Sequence, residues 1–186
     1  MKDSSAAVPE PAELLAMLAR IADQARASRQ RLPQVQGDNT LWDGLAFSIA
    51  GVRLVSSMSE IREMTAYPGQ ITRVPGSKEW MKGLANVRGE LLPVIDLQQY
   101  FGAKAVIRGK SARMLVIRMR GLVCGLLVPS VQGVKHFDLS GRLQHARMEG
   151  ALGRYVYEAF SIGDEVWPVF SMSGLSADPE FRSATA

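Results

Sequence analysis

The sequence predicts a mainly β protein made of small barrels or a sandwich. From residue 41 onward the chain contains about eight to ten short apolar or alternating segments, and glycine-containing turns separate many of them. Helical patterns are few in this part of the chain. The 186 residues suffice for one domain, or for two small fused subdomains, with a hydrophobic core.

The first 40 residues form an extension of a different kind. From residue 11 to about residue 31, apolar residues recur at helical spacing, and charged residues lie mostly on the other side. The apolar set is Leu14, Leu15, Met17, Leu18, Ile21 and Ala25. We therefore predict an amphipathic helix over residues 11–31 and a linker up to residue 40. The apolar stripe can pack on the rest of the chain, on a partner or on a second copy of the protein.

A predicted hairpin opens the β region. Residues 44–50 and 52–58 form its two strands, which turn at Ala50 and Gly51. The alternating segment at residues 59–65 predicts the next strand.

The segment at residues 83–97, GLANVRGELLPVIDL, is the most informative part of the sequence. Asn86 and Gly89 flank two residues in a way that suits a tight turn, because both tolerate left-handed backbone. The apolar run at residues 91–95 then predicts a strand that is buried on both sides. Pro93 cannot donate to a ladder, so it predicts a bend, a bulge or an edge at that point.

Asp96 follows this strand as a predicted helix cap. Its carboxylate can accept from the free backbone N–H groups of the short helical pattern at residues 97–101. Gly102 then suits the end of that helix. The residues of this segment suit a turn, a strand and a helix cap, and they include no nucleophile and no phosphate-binding loop. The segment therefore indicates a binding module rather than an enzyme.

Two more strand pairs are predicted in the second half of the chain. Residues 114–118 and 122–128 turn at an Arg-Gly pair, with residues 131–137 as a neighbouring strand. Residues 156–161 and 165–170 turn at a Gly-Asp pair.

The motif at residues 83–97 closely resembles the GxxNxRGxxxPxxDL signature of CheW-like domains, the adaptor modules of bacterial chemotaxis arrays. Residues 45–65 look like the opening hairpin and next strand of that family, and residues 71–76 look like its following strand and turn. Residues 114–137 and 155–175 are similar to its later strand pairs. The resemblance covers about three quarters of the chain.

The resemblance implies an all-β fold, in the main, of two fused five-stranded SH3-like barrels. We expect the CheW-like domain at residues 41–178, with the first barrel centred on residues 45–110 and the second on residues 111–175. In the family, strands from either end can cross between the barrels. Residues 179–186 are expected to form a flexible tail.

The resemblance also implies a function. A protein of this family is a non-catalytic adaptor that couples the cytoplasmic tip of a methyl-accepting chemoreceptor to the CheW-like regulatory domain of a histidine kinase. The helical extension, the KEWMKG run at residues 78–83 and the short form without a kinase portion look most like adaptors of type IV pilus systems, which control twitching motility. A flagellar-type adaptor is the alternative. The expected location is cytoplasmic, with recruitment to membrane-associated receptor arrays.

The resemblance assigns a receptor-binding side to the domain. By motif position, Glu63 and Arg88 match the glutamate and arginine that form an ion pair there. The full set of implied receptor-binding residues is Met58, Ile61, Glu63, Asn86, Arg88, Val131 and Val134. The turn, the strand bend and the cap are assigned to Gly89, Pro93 and Asp96. The apolar members also suit a core, and the ion pair also suits a purely structural role, so both interpretations stay open.

Pro129 departs from the family pattern. The family usually reads GLxVD here, so this chain loses an acidic side chain and a backbone donor. We expect the strand to end at Val128.

The net charge of +4 and the pI near 9.5 raise an alternative of another class, a basic all-β nucleic-acid-binding protein. The one dense basic run, at residues 108–113, lacks interleaved aromatic residues, so a solvated loop is the favoured interpretation. We therefore predict no nucleic-acid partner.

Catalytic, metal and cofactor sites are not predicted. His136 has no nearby cysteine and is expected to be a strand-end residue, and the chain lacks the glycine-rich motifs of nucleotide-binding loops. The single cysteine, Cys124, is expected in the core. Because no apolar run approaches the ~20 residues that span a bilayer, no direct membrane insertion is expected.

Overall fold

The computed structural model describes residues 40–183, which are mainly β as predicted. The predicted helix over residues 11–31 and almost all of its linker lie outside the described residues. The strands are β1 (Leu41–Ile49), β2 (Val52–Ser57), β3 (Glu63–Ala66), β4 (Met81–Val87), β5 (Glu90–Asp96), β6 (Arg113–Met119), β7 (Leu122–Val128), β8 (Ser130–Asp138), β9 (Arg142–Gln144), β10 (Val156–Ile162) and β11 (Glu165–Phe170). The helices are α1 (Leu97–Tyr100), α2 (Met172–Ala177) and α3 (Pro179–Arg182), with 3-10 turns at Met58–Glu60, Leu139–Gly141 and Ala151–Tyr155.

The strands of residues 40–183 form two sheets, in which neighbouring strands are often not consecutive in the chain. The six-stranded sheet has the order β8-β1-β2-β11-β10-β9, and the five-stranded sheet has the order β3-β6-β7-β5-β4. Most neighbours are antiparallel, but β2 pairs with β11, and β5 with β7, in parallel. Two sheets of similar size agree with the predicted two-part all-β fold. The extra member of the larger sheet is the three-residue strand β9, which adds to the free edge of β10.

The division of the chain between the two sheets differs from the predicted one. The opening hairpin, β1 and β2, joins strands from the C-terminal half, whereas β3 to β7 make the other sheet alone. Barrels centred on residues 45–110 and 111–175 therefore match neither sheet. Strands β1 and β2 lie in the sheet of the later strands, and β6 and β7 lie in the sheet of the earlier ones. For the same reason β8 pairs with β1 and not with the β6-β7 hairpin, from which Pro129 separates it.

The two sheets share a core that neither could bury alone. Alternate residues of β1, such as Phe47, and of β6, such as Leu115, belong to one cluster, which we call the junction core. The intervening residues, such as Ala46 on β1 and Met114 on β6, belong to separate clusters inside each sheet. Both faces of the central strands are therefore buried, which explains their continuous apolar runs.

Strand β5 follows the predicted two-sided burial except at its start. Leu92, Val94 and Ile95 are buried, but Leu91 is 62% exposed. The parallel pairing with β7 begins only at Val94, so Leu91 lies at the end of β5 that extends beyond this pairing. The prediction that the whole run is buried was therefore wrong for Leu91.

Pro93 lies where its missing donor removes no ladder bond. Its partner on β4 is Leu84, and the N–H and the carbonyl of Leu84 both bond to Thr72 on the outer side. Leu84 and Pro93 therefore form a non-hydrogen-bonded pair. On the other side of Pro93, pairing with β7 has not yet begun.

The predicted turn and cap are both present. Arg88 and Gly89 have φ values of 51° and 87°, and Oδ1 of Asn86 accepts from the Gly89 N–H at 2.8 Å. Asp96 is fully buried, and its Oδ1 accepts from the backbone N–H of Gln99 at 3.1 Å. The other carboxylate oxygen of Asp96 accepts from the N–H of Val106 at 2.7 Å.

The segments at residues 59–65 and 71–76 are less regular than predicted. The first begins with the 3-10 turn Met58–Glu60 before β3, and the second makes a single bridge, Thr72 to Leu84. Tertiary bonds explain the first difference, because the Glu60 carboxylate accepts from the backbone N–H groups of Met172 and Ser173 at 3.0 Å each.

Residues 179–182 are helical, where a flexible tail was predicted. Helix α3 spans Pro179–Arg182, and Asp178 caps it by accepting from the Glu180 N–H. Phe181 is fully buried in the junction core and stacks parallel to Trp80 with ring centroids 6.0 Å apart. The predicted flexible tail over residues 179–186 was therefore wrong for residues 179–183.

Tyr155 forms a hydrogen bond to the residue that caps this C-terminal helix, so loss of the Tyr155 hydroxyl should lower the stability of the protein. Its hydroxyl donates to Oδ2 of Asp178 at 2.6 Å, and this bond is the main cause that lowers the pKa of Asp178 below its usual value. Tyr155→Phe should therefore lower the free energy of unfolding at pH 7 by about 1–3 kcal/mol. Urea unfolding followed by circular dichroism would measure this.

The stability difference between wild type and Tyr155→Phe should depend on pH, because the pKa of Asp178 is lowered in the folded protein. A carboxyl group with a lowered folded-state pKa stabilises the protein above its unfolded-state pKa, and this contribution is lost as pH falls through the folded-state value. The difference between wild type and Tyr155→Phe should thus shrink below roughly pH 4. Tyr157→Phe is the matched control, because Tyr157 is 63% exposed. An equal loss in both variants would contradict the role of the Asp178 bond.

Cys124 is fully buried on β7, which confirms its predicted place in the core. Burial raises the pKa of its thiol to about 12. The group is therefore a packed, unreactive side chain at neutral pH.

Candidate partner-binding site

Glu63 and Arg88 lie together, as the motif positions suggested. Nε of Arg88 lies 3.4 Å from Oε2 of Glu63. The Arg88 side chain is 79% exposed and that of Glu63 is 22% exposed. An ion pair this exposed contributes about 0–1 kcal/mol to the free energy of unfolding. Stabilisation of the fold is therefore a minor effect of the Glu63 and Arg88 pair.

A second charge network adjoins this pair. The carboxylate of Glu90 accepts from Arg62 at 2.8 Å and from Arg118 at 2.7 Å, one bond to each oxygen. The hydrogen bond from Arg62 is the largest cause that lowers the pKa of Glu90. Glu90 therefore stays ionised and holds two arginines beside Glu63 and Arg88.

Three residues of these networks were not predicted as site residues from the sequence: Arg62, Glu90 and Arg118. They come from the approach to β3, the start of β5 and the end of β6, and only strand register brings them together. Glu90 follows the turn glycine directly, but nothing in the sequence indicates which cations would reach it.

A cleft of about 50 Å³ lies between the two networks, with Val87, Leu92 and Val116 among its apolar lining. Pockets for drug-sized ligands have volumes of about 300–1,000 Å³. The cleft therefore suits the tip of one side chain from a protein partner better than a cofactor.

The apolar residues predicted for the site divide into two groups. Met58 and Val134 are exposed, and Val131 is half-buried against the junction core. Ile61 is 9% exposed and belongs to the junction core itself, so packing is its main role. Asn86 is exposed, but its side-chain oxygen serves the turn.

A short segment joins the junction core to the charged pair, because it carries both Ile61 and Glu63. Ile61 and Glu63 are two residues apart in nearly extended chain, so their Cα atoms lie about 6–7 Å apart. Val131 and Val134 lie on β8, opposite Phe47 and Leu45 of β1. Glu63, Asn86 and Arg88 thus belong to the five-stranded sheet and its β4-β5 turn, whereas Val131 and Val134 belong to the six-stranded sheet.

Strand β7 ends at Val128, which confirms the prediction made from Pro129. Strand β8 begins directly after Pro129, at Ser130. The Ser130 hydroxyl forms a hydrogen bond with the Ser48 hydroxyl at 2.7 Å.

His136 forms a surface pair rather than a reactive site. Its Nδ1 lies 2.6 Å from Oδ1 of Asp43, the residue opposite it on β1, and both side chains are exposed. Among residues 40–183, no group of three or more His, Cys, Asp and Glu residues is arranged to hold a metal ion. Among the same residues, no helix has the length and apolar character needed to cross a membrane.

Comparison with known proteins identifies the family. The family model for the CheW-like domain matches residues 43–180. The chain belongs to the CheW-like family. It is similar to Protein PilI of Pseudomonas aeruginosa, with 33% identity over 166 residues that cover 89% of this chain and 92% of that one. It is also similar to the Chemotaxis protein CheW of Klebsiella aerogenes, with 25% identity over 54% of this chain and 60% of that one.

A solved structure supports the fold. The scaffolding protein TtCheW from Thermoanaerobacter tengcongensis aligns with a TM-score of 0.64 over 74% of this chain and 94% of that chain, at 22% identity. The resemblance noted in the motif is therefore confirmed at the level of family and fold.

CheW-like proteins are non-catalytic adaptors, so the prediction that this chain is not an enzyme is confirmed by its family. The chain is an adaptor of chemotaxis-type signalling. The similarity to Protein PilI also agrees with the resemblance to pilus-type adaptors.

Proposed function

We propose that this CheW-like protein couples the cytoplasmic tip of a methyl-accepting chemoreceptor to the CheW-like regulatory domain of a histidine kinase. We place it in the cytoplasm, in membrane-associated arrays that control type IV pilus twitching motility. The similarity to Protein PilI along most of both chains supports the pilus assignment over a flagellar one. Modest interfaces gain avidity when an adaptor holds two proteins in one array.

The observation that carries the proposal is the exposure of Arg88. Its guanidinium makes one long contact, to Glu63, and most of the side chain faces solvent. Arginine binds planar polar groups through a rigid fork of donors, and these donors are available here. The neighbouring arginines are already bound by Glu90, so Arg88 is the cation of this cluster that is best able to bind a partner.

The apolar part of the receptor site is proposed on the rim of the junction core. Exposed Met58 and Val134, with half-buried Val131, offer apolar area to one face of a helical receptor tip. Asn86 and the buried Ile61 contribute by supporting the turn and the core beneath this surface. Methionine suits such a surface because its side chain adapts to different shapes.

Arg88→Ala should lower the affinity for a receptor-tip fragment by roughly 10- to 100-fold, because a charge-assisted contact is lost. The melting temperature should change by less than about 4 °C, since the pair contributes little to stability. Isothermal titration calorimetry with the receptor tip and with the kinase regulatory domain would measure both affinities. Binding to the kinase domain should persist.

Arg53→Ala is the matched control for this experiment. Arg53 is also exposed and pairs with a glutamate, Glu165 at 2.8 Å, but it lies in the six-stranded sheet. Equal receptor affinity in wild type and folded Arg88→Ala would contradict the proposed site. No binding of wild type to either partner would contradict the proposed function.

A nucleic-acid-binding role is less well supported. In the basic run, Arg113 donates to the carbonyls of Lys110 and Ala112, and Arg108 donates to that of Gly69. Two of its three cations thus order a loop instead of forming a continuous basic face. A salt-dependent mobility shift of DNA or RNA would favour this alternative.

A further inference from the structure

A second cleft, of about 200 Å³, lies in the six-stranded sheet and shares no lining residue with the Glu63 and Arg88 cleft. Its walls include Trp42 of β1, Tyr157 and Glu158 of β10, and Glu60 of the 3-10 turn after β2. We call it the aromatic cleft. It combines two aromatic rings with two carboxylates in a chain whose net charge is +4.

The Trp42 wall of the aromatic cleft is held in place. The Trp42 indole stacks on Phe160 with ring centroids 4.8 Å apart and also contacts Phe137 at 5.6 Å. The opposite aromatic residue, Tyr157, is 63% exposed although its neighbours on β10 are buried or half-buried. One rigid and one accessible aromatic side chain therefore border the same space.

The carboxylates of this cleft are fixed but keep acceptor capacity. Arg142 Nε donates to Oε2 of Glu158 at 2.7 Å, and no donor among residues 40–183 bonds to the other oxygen. Both oxygens of Glu60 accept from the backbone at the start of α2, which fixes its position. A carboxylate oxygen can accept more than one hydrogen bond, so both groups can still bind a cation.

We propose that the aromatic cleft binds an arginine side chain of a protein partner. A guanidinium is planar, so it can stack on an aromatic face while its edge donates to a carboxylate. The ammonium of lysine is a compact, strongly hydrated charge and matches this shape less well. The assignment rests on charge complementarity and on the aromatic walls of the cleft.

The position of the cleft indicates how a partner would reach it. Ser57 and Glu60 both line the cleft, and exposed Met58 lies between them in sequence. A partner with an apolar residue on Met58 could place a neighbouring arginine in the aromatic cleft. The contact with Met58 would bury apolar surface, and the arginine in the aromatic cleft would make the binding specific for a positive charge.

The probe for this site is Nα-acetyl-arginine methylamide, titrated into the full-length protein. We expect a saturable shift of the Trp42 indole N–H in nitrogen-proton NMR spectra, with a Kd of roughly 1–10 mM. The chain has three tryptophans, so Trp42→Phe would assign the resonance. The matching citrulline compound has nearly the same shape without the charge and should bind at least tenfold more weakly, and the acetyl-lysine compound should also bind more weakly.

Two variants localise the response. Tyr157→Ala and Glu158→Gln should each weaken binding by at least threefold, because they remove a stacking face and a charge. Glu165→Gln is the matched control, since Glu165 also pairs with an arginine but lies outside the cleft lining. Equal binding of the arginine and citrulline compounds, equal binding of the lysine compound, no saturable shift, or equal weakening in Glu165→Gln would overturn the proposal. Unchanged melting temperatures would show that the variants are folded.

Discussion

Gly83→Ala should destabilise the protein more than any other single-methyl change in the motif, by about 2–6 kcal/mol. Gly83 has a φ of 135°, which L side chains rarely adopt. A Cβ at this position would also lie 2.1 Å from the carbonyl oxygen of Thr72. That oxygen accepts from the N–H of Leu84 at 2.8 Å, so it cannot move away without breaking the bridge to β4. Urea unfolding would measure the loss.

Gly89→Ala is the matched control because it lies in the same motif. Its φ of 87° is also positive, but a Cβ there would meet nothing within 4 Å. Backbone strain alone should cost about 1–3 kcal/mol, so Gly83→Ala should be the more destabilised variant. Equal destabilisation of the two variants would mean that the contact with Thr72 contributes nothing. The first glycine of the motif is thus explained by close backbone approach and the second by the turn.

Phe181→Ala should lower the free energy of unfolding by about 3–5 kcal/mol, the usual effect of truncating a buried phenylalanine. The ring is fully buried, stacks on Trp80 and meets the edge of Tyr100 at 5.3 Å. Trp80 and Tyr100 come from the approach to β4 and from α1, which adjoin the five-stranded sheet, whereas α3 follows β11 of the six-stranded sheet. The substitution should therefore loosen the junction of the two sheets.

Thermal unfolding monitored by near-ultraviolet circular dichroism would report this loss, since several aromatic rings surround Phe181. Val166→Ala provides the control, because Val166 is an exposed apolar residue of β11. A melting temperature that is equally high in both variants would contradict the burial of Phe181. If receptor affinity also fell in Phe181→Ala but not in Val166→Ala, the geometry of the junction would be linked to binding.

The proposed receptor site and the junction core respond to different kinds of substitution. Arg88 is exposed, so its removal tests binding with little change in stability. Ile61 belongs to the junction core, so Ile61→Glu would bury a charge and unfold the protein before it tested any interface. Met58 is the better apolar probe because it is exposed and lies three residues away.

Part of the candidate site could be predicted from the sequence, because several of its residues lie close together within one motif. Asn86, Arg88 and Gly89 lie in one hairpin turn, and a turn is a local structure that depends on neighbouring residues. The partner of Arg88, Glu63, followed only from the family resemblance. Arg62, Glu90 and Arg118 could not be predicted, since their contacts depend on which strands are neighbours and in which register.

By itself, the sequence determined the local elements of this protein: its hairpins, the turn at Arg88 and Gly89, the Asp96 cap and the end of β7 at Pro129. These depend on backbone preferences and on side chains within a few residues. Only the tertiary structure decided that β1 and β2 join the C-terminal strands and that Phe181 is buried in the junction core. Apolar strands that are buried on both faces carry no pattern that specifies their partners, so strand order and burial depend on long-range packing.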